Sequence, residues 1–440
     1  MKLRFVSQFD YVIFFAALLL IILGVAFIYS SGVDSSGVSV STEYVRQIVF
    51  ACTGLLLLAA AAFADFRKIS RYALYLYFGL LAVLVYTFLF GRYVNGARSW
   101  LGIGSFGVQP SEFGKVIFII FLARHLEHSS QWPPFRRFLT SLGIMLLPMC
   151  LILLQPDLGT ASVYLPVFLI MCFMAGIPLR YIFLVLFGGM LTVVFAVLPI
   201  WESEIYQKTL GIIRVFQSDS LRLIVIAAGG AVAVVSLVGF IRFKNRYYFW
   251  LVYVFGILTF ALVASKAVNY VLKDYQIKRL IVFLNPDSDP LGAGWNIIQS
   301  KIAIGSGNFF GQGFLRGTQS HYHFLPQQNT DFIFSILSEE WGFIGGMIVY
   351  ALYFVILTRI LAIIKNTPHV FGAYIASGIF GMFFFHFIVN VGMVMGLMPI
   401  TGIPLLFLSY GGSSLWTAMI CVGLLMGIYA RRLEISNITL

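Results

Sequence analysis

Residues 328–342 read QNTDFIFSILSEEWG, and the chain runs on as FIGGMIVYALYFVILTRI. The second stretch is apolar enough to cross a bilayer, so 332–357 reads as a membrane helix. It begins beside Asp331 and carries Glu339 and Glu340 about two turns in. An acid near the bilayer centre costs roughly 2.5–3.5 kcal/mol on insertion scales. Such a span is tolerated where its acids face a wet cavity or the polar groups of neighbouring helices.

The rest of the chain repeats the pattern. Of its 440 residues, 60% are hydrophobic and 10% charged, where a soluble domain carries about a quarter charged. Mean hydropathy is +0.94. Spans are expected at 11–30, 45–64, 73–90, 113–124, 138–155, 161–177, 182–200, 222–241, 248–267, 332–357, 370–391 and 414–430. The fold class is therefore an all-α polytopic membrane protein of about twelve transmembrane helices, in one membrane domain over 1–440. The span at 113–124 is short, and FGVQPSE before it reads as an interfacial extension. No small-residue cleavage site follows YVIFFAALLLIILGVAFIYS, which reads as a retained span. Cys52, Cys150, Cys172 and Cys421 lie in apolar runs without a CxxC pair and read as small hydrophobes.

Lys and Arg orient the spans. If twelve alternate, Lys2, Arg4, Arg67, Lys68, Arg71, Arg124, Arg136, Arg137, Arg180, Arg242, Lys244, Arg246, Arg359, Lys365, Arg431 and Arg432 share one side. That side is the cytoplasm, with both termini in it. A net charge of +12 points to anionic partners. Because the basic residues sit in short loops between spans, lipid head groups or a phosphorylated substrate fit better than nucleic acid. The other side holds the connections 91–112, 201–221 and 268–331. The last is long for a passive link and rich in Gly, Pro and Asn, so it reads as a large, irregular outer loop. Within it VLKDYQIKRLIVFL reads as an interfacial helix with Lys273, Lys278 and Arg279 on its polar side.

Glu112, Asp157 and Asp331 all fall at outer ends of spans, so three helices could line one cavity. Each has a plain structural alternative. Glu112 and Lys115 are three residues apart, share a helix face and can form an ion pair. Asp157 lies between Pro156 and Gly159 and suits a turn or cap. Asp331 after Thr330 could cap its helix. GSGNFFG follows no strand and is no dinucleotide fingerprint. His321 and His323 alone make a poor zinc site. Asp287 and Asp289 in NPDSDP read as turn residues. These residues admit a lipid, an ion or a proton as substrate.

The ordered motifs QPSE with Lys115, QPDLGT, IQSKIAIGSG, GTQ, FLP, TDFIF with EE, and SYGGSS resemble the SEDS family (shape, elongation, division and sporulation) of bacterial peptidoglycan glycosyltransferases. GTQ followed by FLP is similar to its rod-shape-determining branch more than to its division branch. The resemblance covers nearly the whole chain. It implies a ten-helix core, to which this chain adds a transmembrane hairpin within 205–270. It also implies multi-pass residence in the bacterial cytoplasmic membrane. The implied activity, in cell elongation, is polymerisation of lipid II and of the nascent undecaprenyl-diphosphate-linked glycan on the outer face. The implied partners are a class B penicillin-binding protein and other elongation-complex proteins. The family's essential aspartate matches Asp331, and Glu112, Lys115 and Asp157 match further family positions. A divalent cation, magnesium or manganese, is implied, with no ligand set readable and no organic cofactor. One departure precedes TDF: the family's Pro-Glu-x-His is here Pro326, Gln327, Gln328, Asn329. Another is Asn308, where the family has glycine.

Glycosyl transfer needs a base for the attacking hydroxyl, for which Asp331 is the candidate, and positive charge at the leaving diphosphate. Lys115, Arg98, Lys273, Lys278, Arg279 and a cation are the candidates for that charge. A lipid II flippase needs polar groups accessible from both sides, whereas these acids cluster outward. A non-catalytic scaffold would tolerate loss of Asp331.

Overall fold

A backbone in hydrocarbon must satisfy its own N–H and C=O groups, and a helix does so within one segment. The computed structural model describes residues 7–34, 36–94, 96–103, 106–202, 206, 213–271, 274–286, 289–290, 292–322 and 324–432. In chain order the helices are α1 (Tyr11–Ser31), α2 (Glu43–Phe63), α3 (Phe66–Phe90), α4 (Pro110–His128), α5 (Pro134–Leu154), α6 (Leu158–Met174), α7 (Leu179–Trp201), α8 (Arg214–Gln217), α9 (Asp219–Phe243), α10 (Arg246–Val271), α11 (Asp274–Leu284), α12 (Ala293–Ser306), α13 (Thr318–His321), α14 (Ile333–Asn366), α15 (Val370–Val394) and α16 (Gly412–Ala430). Ten of these are long and apolar enough to cross a membrane among the described residues. The two remaining expected spans are also helices. α6 is shorter, and α4 carries Glu112, Lys115, Arg124 and Glu127.

Two connections differ from the expectation. Residues 92–108 form a small antiparallel sheet, β1 (Arg92–Val94), β2 (Ala97–Ile103) and β3 (Phe106–Val108), in the order β1-β2-β3. FGV, expected as part of an interfacial or re-entrant extension of the span, is a strand, and α4 begins at Pro110, whose missing N–H costs nothing in a first turn. The stretch 268–331 is also more ordered than its Gly and Pro content suggested. It holds the end of α10 and all of α11, α12 and α13. In α12, Ile297, Ser300 and Ala303 recur at a spacing of three and form one buried face.

The chain forms two units: residues 1–177 with 296–440, and residues 178–295. In the first, α2 packs on α16, α15 on α6 and α14, α1 on α14, and α3 on α4. In the second, α9 and α10 form a hairpin that turns at Lys244, in the left-handed conformation. Arg222 is buried there and donates to the Leu262 carbonyl at 2.9 Å and Ser265 Oγ at 2.5 Å. Lys266 pairs with Asp219 at 2.7 Å.

α14 is not one continuous helix. Gly342 has φ 62° and ψ −155°. An unbroken helix would bond the N–H groups of 343 and 344 to the carbonyls of 339 and 340. Residues 308–313 take over these two rungs. The Glu339 and Glu340 carbonyls accept from the N–H groups of Gln312 (3.0 Å) and Gly313 (2.9 Å). Phe343 and Ile344 donate to the carbonyls of Asn308 (3.0 Å) and Phe309 (3.3 Å). Four backbone groups at the break thus find partners outside the helix, as a non-helical segment within a bundle requires.

Candidate active site

Asp331 lies in the turn before α14 and is half-buried. Its N–H donates to the Gln327 carbonyl at 3.2 Å, and its own carbonyl accepts from Asn390 Nδ2 at 2.9 Å. The N-cap of α14 is Phe332. The N-cap position that Thr330-Asp331 suggested for Asp331 is thus held by Phe332.

Glu112 and Lys115, on the first turns of α4, form an ion pair of 2.8 Å with side chains 5% and 2% exposed. Lys115 Nζ also lies 3.2 Å from His386 Nε2, and His386 Nδ1 lies 3.0 Å from the Pro404 carbonyl. A carbonyl can only accept, so Nδ1 carries the proton and Nε2 offers a lone pair to the ammonium. Glu112 Oε2 is buried without a hydrogen bond among the described residues.

Asp157 caps α6, with Oδ1 accepting from the Thr160 N–H at 3.0 Å. Its Oδ2 accepts from Gln109 Nε2 at 2.6 Å, and the Gln109 N–H donates to Ser413 Oγ at 3.0 Å. Asp157 thus has the cap role and also ties QPSE to QPDLGT. Arg98 is directed elsewhere: its Nε donates to the Gly91 carbonyl at 2.8 Å, just past the end of α3, where a cation suits the helix dipole. Of the basic run, Lys273 and the Lys278 side chain lie outside the described residues. Arg279 is half-buried on α11, in the second unit.

The segment 395–411 between α15 and α16 is the strap that joins these parts. Asn390 donates to the Ile403 carbonyl at 2.8 Å as well as to Asp331. The Tyr410 N–H donates to the Asn329 carbonyl at 2.8 Å, and Gln47 Nε2 to the Ser409 carbonyl at 3.2 Å. Asn329 bonds both Ser31 and Glu43, so one residue of the altered Pro-Gln-Gln-Asn stretch now ties the turn to α1 and α2. The structure therefore gathers Glu112, Lys115, Asp157 and Asp331 around α15 and the strap.

Glu339 and Glu340 stand at the break in α14. The Glu339 carboxylate accepts from the N–H groups of Gln319 (2.7 Å) and Ser320 (3.2 Å) and from Thr318 Oγ1 (3.2 Å). Glu340 accepts from the Ser30 hydroxyl and from the Leu315 N–H at 3.2 Å. Glu339 holds the GTQ segment, and Glu340 ties Leu315, two residues before it, to Ser30 of α1. His321 donates from Nδ1 to the Val33 carbonyl at 2.6 Å, and His323 lies outside the described residues. Sequence reading missed His386 and Asn390. Their signal was present as two polar residues four apart in the apolar run FFFHFIVN. Among the described residues no three His, Cys, Asp or Glu side chains converge as a metal-ligand set.

The cell cycle protein family FtsW/RodA/SpoVE matches residues 10–219 and 209–433. The peptidoglycan glycosyltransferase RodA of Treponema pallidum is 53% identical over 98% of this chain and 100% of its own length. The peptidoglycan glycosyltransferase MrdB of Escherichia coli K12 is 33% identical over 89% and 87%. A chain from a peptidoglycan synthase complex, described for its coordination of polymerization and crosslinking, superposes with a TM-score of 0.67. It shares 27% identity over 96% of this chain and 98% of its own. The chain belongs to the FtsW/RodA/SpoVE family, the one its motifs resemble. It is a polytopic membrane protein.

Proposed function

We propose that this chain, a peptidoglycan glycosyltransferase by family, polymerises lipid II into glycan strands at the outer face of the cytoplasmic membrane, with Asp331 as general base. The observation that carries the assignment is the position of Asp331. It sits in the turn that opens α14, one residue before the N-cap Phe332, where Asn390 holds its backbone carbonyl. In the reaction the acceptor sugar 4-hydroxyl attacks an anomeric carbon bearing a lipid diphosphate. Direct attack inverts that carbon, and Asp331 accepts the hydroxyl proton. The diphosphate leaves with the bonding electrons and needs positive charge beside it. The buried Lys115 supplies such charge from behind the site rather than by open contact.

Synthesis couples to crosslinking by a class B penicillin-binding protein, a reading supported by the synthase complex to which the chain is similar. Both termini are cytoplasmic, α9 and α10 are an inserted hairpin, and 268–331 faces outward with its helices. The test is polymerisation of labelled lipid II by the purified chain with its penicillin-binding partner. Asp331→Asn keeps the shape of the turn but accepts a proton poorly, and removal of a general base costs roughly 10²–10⁴ in rate. Product should fall to background while thermal midpoint and partner co-purification persist. Near-normal glycan from this variant would sink the assignment.

A further inference from the structure

α15 carries two buried polar side chains one turn apart, His386 (1% exposed) and Asn390 (0%). Residues four apart share a helix face, and both reach the same short piece of strap. His386 Nδ1 donates to the Pro404 carbonyl at 3.0 Å, and Asn390 Nδ2 donates to the Ile403 carbonyl at 2.8 Å. A purely structural role would explain these two bonds, since a strap threading an apolar bundle must have its carbonyls satisfied. It does not explain the other contact each side chain makes. His386 Nε2 accepts from Lys115 at 3.2 Å, and Asn390 Nδ2 donates to the Asp331 carbonyl at 2.9 Å. One side chain thus holds the buried cation and the other holds the turn of the base.

We propose that His386 and Asn390 are positioning residues, a two-rung brace on α15 that fixes the Asp331 turn against the Glu112–Lys115 pair across the strap. The inference rests on Asp331 as the base. Neither brace residue touches substrate. Their effect is geometric: a misplacement of about 1 Å at a reacting group costs on the order of 10²-fold in rate.

Three variants test the brace in the complex with the penicillin-binding partner. Asn390→Leu keeps the approximate shape and removes both donors. His386→Gln can keep an acceptor where Nε2 stood, toward Lys115. His386→Asn can keep a donor where Nδ1 stood, toward Pro404, and falls short of Lys115. Turnover is measured per folded molecule, beside KM for lipid II and the thermal midpoint. Asn390→Leu and His386→Asn should lower kcat by about tenfold or more with KM within about threefold, while His386→Gln stays near wild type. Unchanged kcat per folded molecule in Asn390→Leu and His386→Asn would overturn the proposal, and so would equal losses in the two His386 variants. Asn390→Ser, smaller and still polar, serves the same comparison if the leucine variant does not fold. Asp331→Asn is run alongside. Full product from it removes the base on which the inference rests. An inactive Asp331→Asn beside fully active brace variants refutes the brace alone.

Discussion

Lys115 is one of the largest fully buried side chains among the described residues, and its ammonium meets Glu112 at 2.8 Å. Removing one partner of such a pair leaves the other charge buried and unpaired, at a cost of about 3–5 kcal/mol, whereas removing both restores neutrality. Lys115→Met should therefore lower the thermal midpoint in detergent. Adding Glu112→Gln should recover most of that loss. Glycan synthesis should stay absent in both, because the charge behind the site is gone. Product from the double variant at wild-type level would assign the pair to stability alone. The pair was legible in PSEFGK because its members are three apart on one helix. Its third member, His386, was not, because 271 residues separate it from Lys115. Asp331 was legible as an acid at the start of a span but not as a residue outside the cap. Where α14 begins depends on the turn of 326–331, which Asn390 and the Tyr410 N–H hold from afar.

At the scale of the element, α14 answers why acids stand two turns into a membrane helix. Residues 333–341 form a half-helix of about 13 Å at the usual rise. Its last turn offers backbone carbonyls and two carboxylates to the segment 308–320. Gly311, like Gly307 four residues before it, is pressed against the backbone at the end of that half-helix. It has φ +82°, and a Cβ there would lie 2.0 Å from the Glu340 carbonyl oxygen. Gly311→Ala should destabilise by at least about 1–3 kcal/mol, from the strained backbone alone. It should also lower polymerisation, since the half-helix leads from Asp331. Gly305→Ala is the control, because its Cβ meets nothing within 4 Å and it lies in α12, where alanine is favoured. Matching thermal midpoints and product for the two variants would remove the junction from the argument. Sequence reading took 332–357 as one uninterrupted span. Glycine is frequent in membrane helices, so Gly342 announces no break, and the loop that makes the break possible lies about 30 residues upstream.

At the scale of the whole molecule, hydropathy located each of the ten helices that are long and apolar enough to cross a membrane among the described residues, because lipid imposes length and composition on each span separately. It could not show which spans adjoin. α16 packs on α2 although most of the chain lies between them. Nor does it settle the crossings equally well: α4 and α6 fall short of the criteria for a span, and they carry Glu112, Lys115 and the Asp157 cap. Cysteine accessibility decides whether both cross. In a background with Cys52, Cys150, Cys172 and Cys421 replaced by alanine, Gln131→Cys reports the turn after α4 and Asn245→Cys the turn between α9 and α10. Both wild-type positions are exposed to solvent or lipid. With every expected span crossing, both turns are cytoplasmic, as Arg124 and Arg136 beside the first and Arg242, Lys244 and Arg246 around the second require. Neither cysteine should react with a membrane-impermeant thiol reagent in intact cells, and both should react after permeabilisation. If α4 alone fails to cross, both label from outside. If α4 and α6 both fail, Gln131→Cys labels and Asn245→Cys does not. External labelling at either position would overturn the twelve-span topology, and external labelling at Asn245→Cys would overturn the placement of Asp331 on the outer face as well.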